Sequence, residues 1–192
     1  MSTLWFVRHA STAWSERQRL QGWAPIGLSA RGVSEAHEVG RVAASLGVQR
    51  VLASPLRRAL ETAQIVARYV GTPVQVAPDL CELHYGALTG CTAEELHASH
   101  PLLAEAWQRQ PWQVRFAPRN GALDDLAAAV ARLLAAPWAS WPTTLCVTHG
   151  HVIRVALTRR QELAPRDFWC VDVPTGSFWP LQQPSRSPRT SA

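Results

Sequence analysis

The sequence lacks the features that would place the protein in a membrane, disulfide-rich or zinc-binding class. No apolar run reaches the roughly 18 residues that a transmembrane helix requires, and no basic start with an apolar run and cleavage site opens the chain. The 4 cysteines lie far apart without a CxxC spacing, so neither a disulfide framework nor a zinc knuckle is indicated. We therefore expect a cytoplasmic protein that keeps its thiols reduced and does not bind a membrane.

A basic stripe and a cluster of acidic residues are missing as well, which bears on nucleic acids and metals. The formal net charge is +5, but the arginines are scattered and do not alternate with aromatic residues. An anionic small substrate explains the excess of positive charge equally well. We therefore predict no nucleic acid, no cofactor and no metal. A metal bound by His149 and His151, with His9 and His84 nearby, is the alternative interpretation.

Length and composition fit a single compact unit. The chain has 192 residues, of which 47% are hydrophobic and 17% charged, which is enough to bury a sizeable core. We predict one domain over residues 1–183, with a helical insertion over about 92–118, and a disordered low-complexity tail over 184–192. A homodimer is compatible with the sequence.

Two segments combine a short apolar strand with polar residues at its C-terminal end. Residues 4–7 are β-prone and run into Arg8 and His9, and residues 144–148 run into His149. In open α/β sheets the C-terminal ends of the strands form the edge at which ligands bind. We therefore expect one arginine and two histidines to meet there.

The residues between these strands alternate between helical and strand patterns. Ser29 is placed to cap a helix that runs to about Ser45, with Val33 and Val39 among the residues on its apolar face, and residues 50–53 form the next strand. Ser54 and Pro55 are predicted as the cap and first residue of a helix that ends near Gly71. Further helices are predicted from the capping box at Thr92, from Pro101 and over 122–135, and edge strands over 168–181. This order predicts a three-layer α/β/α fold with a mostly parallel sheet.

The polar residues at the strand ends suit phosphoryl transfer. A neutral imidazole is a competent nucleophile toward phosphorus near neutral pH, and His9 can fill that role. Guanidinium groups match phosphate oxygens bidentately, so Arg8 and one of Arg57 or Arg58 are candidates for a phosphate clamp. A buried structural histidine and solvated helix arginines are the alternative interpretations.

Blocks of sequence in a fixed order resemble the histidine phosphatase superfamily, which includes the cofactor-dependent phosphoglycerate mutases. The blocks are FVRHASTAWS, QGW, SPLRRALETA, ELHYGALTG and VTHGHVIR, and they span residues 4 to about 157. The resemblance implies the phosphoglycerate mutase-like α/β/α fold with a small helical insertion.

The resemblance also implies a role for each matching residue. His9 would be the phosphorylated nucleophile, and Arg8, Arg58 and His149 would bind the transferring phosphoryl group. Glu82 would protonate the leaving oxygen and then activate water. Its carboxyl group must be protonated when the substrate arrives, so we expect its pKa to be raised beside the bound phosphate. The other matches would line the substrate pocket: Ser15, Gln21, Gly22, Tyr85 and Gly150.

The sequence departs from the family pattern at several positions. The family's RHGET is RHAST here, so Ala10 replaces the usual glycine, Ser11 the usual glutamate, and Ser15 a common asparagine. A frequent PxGES block is reduced to PRNGA and lacks the acid. The family's HGG has become HGH at His151. These changes leave the implied phosphate-binding residues in place but alter the substrate contacts that the family pattern implies.

We therefore predict a metal-independent phosphatase that acts on a small phosphorylated metabolite through a phosphohistidine at His9. A phosphoglycerate mutase-type phosphoryl transfer is one alternative, because ELHYGALTG is closer to the mutase version of that block. A catalytically silent relative that retains the phosphate site is the other.

Overall fold

A computed structural model describes residues 3–135, 142–159 and 164–181, so the predicted tail over 184–192 lies outside the described residues. The centre of the fold is a 5-stranded sheet in the order β3-β2-β4-β1-β5. Its strands are β1 Leu4–Arg8, β2 Arg50–Ala53, β3 Val74–Val76, β4 Thr144–Thr148 and β5 Phe178–Leu181. Strands β1 to β4 pair in parallel, and β5 adds to β1 antiparallel at the edge. The predicted mostly parallel sheet is confirmed, although the short strand β3 was not predicted.

Helices connect these strands in the predicted alternation. They are α1 Ala13–Glu16, α2 Ala30–Ser45, α3 Arg57–Val70, α4 Ala93–Ser99, α5 Pro101–Arg109, α6 Leu123–Ala135 and α7 Gly150–Arg159. Ser29 caps α2 by accepting a hydrogen bond from the Gly32 N–H, and the capping box from Thr92 to Glu95 opens α4. Helices α4 and α5 lie in the predicted insertion. No helix in the described part of the chain combines the length and apolar character needed to cross a bilayer.

The sheet separates two apolar cores, because successive strand residues point to opposite faces. One face carries residues such as Val7, Val51 and Val147, which pack with buried residues of α2 and α3. The other face carries Phe6, Leu52 and Cys146, which pack with buried residues of α6 and α7. Helices therefore cover both faces, and the predicted three-layer α/β/α fold is confirmed.

Two details of the helix predictions are wrong. Ser54 and Pro55 precede α3, whose N-cap is Leu56 and whose first residue is Arg57. The Ser54 hydroxyl instead lies 2.8 Å from His149 Nε2. On α2 the buried face is formed by small residues and Val39, whereas Val33, which the periodicity placed on that face, is 41% exposed.

The small residues of α2 allow the helix to approach the segment that follows β1. A Cβ atom on Gly32 would lie 1.9 Å from the Ser11 carbonyl oxygen, so no side chain fits at this position. The same carbonyl accepts the Ser29 N–H at 3.0 Å. The start of α2 is therefore fixed against the loop that carries His9.

We predict that Gly32→Ala destabilises the protein, although the same change in an exposed helix interior stabilises it. The overpacked Cβ must displace the Ser11 backbone, which should lower the free energy of unfolding by about 1–3 kcal/mol. Urea denaturation measures the change, with Val33→Ala on the exposed side of α2 as the control. An unchanged or raised unfolding free energy in Gly32→Ala would contradict this packing.

Candidate active site

The predicted histidines and arginines lie together at the C-terminal ends of the strands. Arg8 ends β1 and His9 follows it, while His149 follows β4, the parallel neighbour of β1. The ring centroids of His9 and His149 are 5.2 Å apart. Arg58 lies in the first turn of α3, where its Nε is 3.1 Å from His9 Nε2. Their functional roles stay predictions, but the fold places them in one cluster.

The hydrogen bonds of His9 define which ring nitrogen carries the lone pair. Its Nδ1 lies 2.8 Å from the Ala10 carbonyl oxygen, which can only accept, so Nδ1 carries the proton. The lone pair is then on Nε2, the atom that faces Arg58. Burial lowers the pKa of His9 well below its ordinary value of 6.5, and the charges of Arg58 and Arg8 lower it further. The imidazole is therefore neutral at neutral pH, as a nucleophile requires.

His149 is fully buried and shares a hydrogen bond with Ser54 through Nε2. Its Nδ1 is buried and has no hydrogen-bond partner among the described residues. A Ser54 hydroxyl that donates to Nε2 leaves the proton on Nδ1, which is then available to an anion. Burial also lowers the pKa of His149 well below 6.5, with Arg58 and His9 adding to the effect.

Arg58 is a buried cation, only 1% exposed. Its Nη2 donates to the Gly22 carbonyl at 2.8 Å and its Nη1 to the Ala24 carbonyl at 3.5 Å. Burial lowers its pKa to about 10, which leaves the guanidinium charged at neutral pH. The backbone of Gly22 has a φ of 47°, a conformation that favours glycine, and this turn presents its carbonyl to Arg58.

Arg8 is positioned from the opposite side of the sheet edge. Its Nη1 donates to the Val173 carbonyl at 2.6 Å, while its Nε is buried without a partner in residues 3–135, 142–159 and 164–181. Burial lowers the pKa of Arg8, although Glu82 and Asp172 oppose the effect. A Cβ on Gly150 would lie 3.9 Å from Arg8 Nε, so this glycine brings the start of α7 close to the guanidinium.

The Glu82 carboxyl group is buried beside these cations. Its Oε1 accepts the Leu83 N–H at 2.8 Å, and its Oε2 lies 3.4 Å from His151 Nδ1. Burial acts to raise the pKa of Glu82, but His151, the Leu83 N–H and Arg58 outweigh it and bring the pKa below its ordinary value. The raised pKa expected from the sequence is therefore not produced by the surrounding residues. A phosphate dianion beside the carboxyl group would supply the opposite effect.

The side chains predicted to line the substrate pocket form hydrogen bonds with different partners within the protein. The Gln21 side-chain oxygen accepts from the Thr12 hydroxyl at 3.0 Å. The Ser15 hydroxyl forms the capping box of α1 with Thr12, so its hydrogen bonds stabilise that helix. Tyr85 is buried, and its hydroxyl lies 3.4 Å from the His151 ring nitrogens. Burial and Glu82 raise the pKa of Tyr85, which keeps the hydroxyl protonated.

Ser11 and Glu35 form a contact that the sequence did not predict. The Glu35 carboxylate accepts the Ser11 N–H at 2.8 Å and the Ser11 hydroxyl at 2.9 Å. These hydrogen bonds lower the pKa of Glu35 against the effect of its partial burial. Position 11 is where the family pattern carries a glutamate, so α2 provides a carboxylate next to the site of the substitution. In the sequence, the only signal for such a partner was the serine at position 11 in place of the family's glutamate.

An aromatic wall of Trp107, Phe168 and Trp169 beside His151 was also not predicted. The His151 ring contacts Trp107 of α5 as well as Phe168 and Trp169, at centroid distances between 5.6 and 6.1 Å. Arg154 lies one helical turn after Gly150, and its guanidinium stacks over Trp169 at 5.5 Å. Burial and the charge of Arg8 lower the pKa of Arg154. In the sequence, only the change from HGG to HGH pointed to this region.

Comparisons with known proteins give a consistent result. The model of the histidine phosphatase superfamily, branch 1, matches residues 4–190. The probable phosphoglycerate mutase GpmB of Salmonella arizonae is 32% identical over 157 residues, which is 78% of this chain and 70% of that protein. The structure of a mycobacterial glucosyl-3-phosphoglycerate phosphatase with VO3 superimposes with a TM-score of 0.81 at 26% identity, covering 95% of this chain and 93% of that one.

A further similar structure supports the fold alone. Phosphoserine phosphatase from Entamoeba histolytica, solved with 3-phosphoglyceric acid, gives a TM-score of 0.80 at 24% identity over 93% of this chain and 89% of that one. The family model and the curated relative confirm the resemblance that the sequence blocks indicated.

We predict that the buried neutral histidines make stability depend on pH near neutrality. Because folding lowers the pKa of His9 and His149 below 6.5, the unfolded chain binds protons more readily below that pH. Their contribution is complete above about pH 6.5 and is lost as the pH falls below it, with a slope of up to about 1.4 kcal/mol per pH unit for each histidine.

Urea denaturation in phosphate-free buffers between about pH 5.5 and pH 7.5 measures this slope. The variant His149→Gln keeps a polar group near Ser54 but cannot become charged. Its slope of unfolding free energy against pH should therefore be smaller by up to about 1.4 kcal/mol per pH unit. His97→Gln on exposed α4 is the control and should keep the wild-type slope. Equal slopes in all three proteins would show that His149 is not a buried neutral group.

Proposed function

We propose that this chain, which belongs to the histidine phosphatase superfamily, hydrolyses a small phosphomonoester through a phosphohistidine on His9. The observation that carries the proposal is the state of His9, whose neutral ring directs the Nε2 lone pair into a buried cluster of cations. Arg8, Arg58 and His149 would bind the phosphoryl oxygens, because a phosphoryl group needs its charge matched by positioned donors.

In the first step, His9 Nε2 attacks phosphorus and the bond between phosphorus and the leaving oxygen breaks. Glu82 gives its proton to that oxygen, so the alcohol leaves neutral and Glu82 becomes a carboxylate. The carboxyl group must be protonated when the substrate arrives. A dianionic ester beside it would raise its proton affinity, against the lowering effect of His151 and Arg58.

In the second step, water attacks the phosphohistidine and the bond between phosphorus and Nε2 breaks. The Glu82 carboxylate takes a proton from that water, which restores the acid and releases inorganic phosphate. His9 returns to its neutral state with the proton on Nδ1, held by the Ala10 carbonyl. Both steps need only groups of this chain, the ester and water.

The names of the similar proteins divide between a phosphatase and a mutase, and they leave the substrate open. The alignment with the mycobacterial glucosyl-3-phosphoglycerate phosphatase covers 95% of this chain. The name of that protein favours a phosphorylated metabolite as the substrate. The curated relatives named as probable phosphoglycerate mutases favour the second candidate, a mutase-type transfer between two positions of one substrate.

We predict that the purified protein hydrolyses p-nitrophenyl phosphate in the presence of EDTA and that His9→Ala lowers kcat/KM at least about 1,000-fold. Loss of the nucleophile removes the covalent step, whereas the exposed His97→Ala should retain wild-type activity. Acid-labile phosphohistidine should form on His9 in the wild-type protein after substrate is added. Activity that survives unchanged in His9→Ala would overturn the proposal, and a protein without activity or phosphohistidine would be the silent relative.

Incubation with 3-phosphoglycerate and 2,3-bisphosphoglycerate separates phosphatase from mutase. We predict that inorganic phosphate accumulates faster than 2-phosphoglycerate, because water reaches the phosphohistidine in a phosphatase. Chromatography of the products, with the His9→Ala variant as the blank, measures both rates. Conversion to 2-phosphoglycerate without net release of phosphate would assign the chain to the mutases.

A further inference from the structure

His151 is the side chain that separates Glu82 from the aromatic wall. Its Nδ1 is 3.4 Å from Glu82 Oε2, and the two side chains are 15% and 9% exposed. The opposite oxygen, Oε1, is already held by the Leu83 N–H at 2.8 Å. The carboxyl group is thus fixed by the backbone on one side and faces an imidazole on the other.

The orientation of the His151 ring is fixed by its aromatic neighbours. Phe168 stacks on it with an interplanar angle of 16°, and Trp169 contacts it edge-on at 88°. Trp107, from the helix pair α4 and α5, packs against the ring at a centroid distance of 5.6 Å. The ring therefore has little freedom to turn its Nδ1 away from Glu82.

Charged and titratable groups surround this pair from several elements. They are Arg8 of β1, Arg58 of α3, His149 after β4, Arg154 of α7, and Cys81 and Tyr85 from the segment around Glu82. The arginines stay charged across the working pH range, and burial keeps Tyr85 and Cys81 protonated because it raises the pKa of both. Within the pair itself, His151 brings a ring nitrogen to 3.4 Å from the Glu82 carboxyl group.

We propose that His151 is a positioning residue, which holds the Glu82 carboxyl group toward the leaving oxygen and stabilises the carboxylate that remains after proton transfer. The proposal rests on the proposed function, since it assigns His151 a part in the acid step of that reaction. No atom of His151 has to touch the substrate. Its effect should therefore depend on how much the leaving group needs a proton.

Two variants separate shape from polarity at this position. His151→Phe keeps a ring between Phe168 and Trp169 but removes the nitrogen that faces Glu82. His151→Asn keeps a polar donor near the position of Nδ1 but removes the ring that packs against Phe168 and Trp169. The matched control is His84→Phe, because His84 stacks on Trp23 at 4.8 Å and has no hydrogen bond to Glu82.

The first measurement compares kcat/KM for an alkyl phosphate and for p-nitrophenyl phosphate. An alkoxide must be protonated as it leaves, whereas p-nitrophenolate leaves readily without a proton. We expect His151→Phe to lose at least about tenfold with glycerol 2-phosphate and less than about threefold with p-nitrophenyl phosphate. The kcat/KM of His151→Asn should lie between those of His151→Phe and the wild-type protein. The kcat/KM of His84→Phe should stay within about twofold of the wild-type value for both substrates.

A double-mutant cycle shows whether His151 acts through Glu82. In a Glu82→Gln background the carboxyl group is gone, so adding His151→Phe should lower kcat/KM no further. A full additional loss in that background, or an equal loss with both substrates, would overturn the proposal. A rise in KM alone would mean that His151 contacts the substrate instead.

The NMR titration of the Glu82 side-chain carbon tests the same pair without relying on activity. His151 is among the groups that lower the pKa of Glu82, so the titration midpoint should rise in His151→Phe and stay in place in His84→Phe. A raised midpoint in a protein without phosphatase activity would contradict the proposed function and leave the pair intact. An unchanged midpoint in an active enzyme would overturn the role proposed for His151 and leave the proposed function standing.

Discussion

Burying a guanidinium next to an imidazole is costly, and the arrangement around Arg58 is built to offset that cost. The side chain is 1% exposed, yet the carbonyl groups of Gly22 and Ala24 accept its hydrogen bonds. Thr62, one turn later, donates to the Arg58 carbonyl at 2.7 Å and accepts the Ala10 N–H at 3.1 Å. Loop, helix and His9 are thus connected through Arg58, and the neutral state of His9 follows from its burial and from the charge beside it.

The parts of this arrangement that sequence could predict are those encoded locally. Short apolar segments followed by Arg8, His9 and His149 predicted the strand ends and therefore the edge of the sheet at which they meet. The start of α3 was wrong because Ser54 and Pro55 fit a local capping pattern, whereas the hydroxyl is used by His149, which lies 95 residues away. Strand β3 was missed because 3 residues, two of them exposed, give no usable periodicity.

The electrostatic details could not be predicted because they arise from contacts between distant segments. The Glu82 pKa depends on His151 of α7, and the Ser11 substitution is accompanied by a carboxylate from α2 at position 35. The departures at positions 11 and 151 are visible in the sequence, but no spacing or motif shows which residues they contact. The family pattern fixed which residues to consider, but only the packing of α7 and α2 against the strand ends determines their charge states.

The balance of buried charge at the strand ends favours an anion. Arg8, Arg58 and Arg154 are buried to different degrees, burial lowers the pKa of each, and Glu82 is the carboxylate that opposes all three. The buried Nε of Arg8 and Nδ1 of His149 have no partner in the described part of the chain. Because unpaired buried donors cost free energy, a dianion that accepts from them recovers part of that cost on binding. The same dianion raises the proton affinity of Glu82, so the binding of the substrate itself would prepare the acid for the first step.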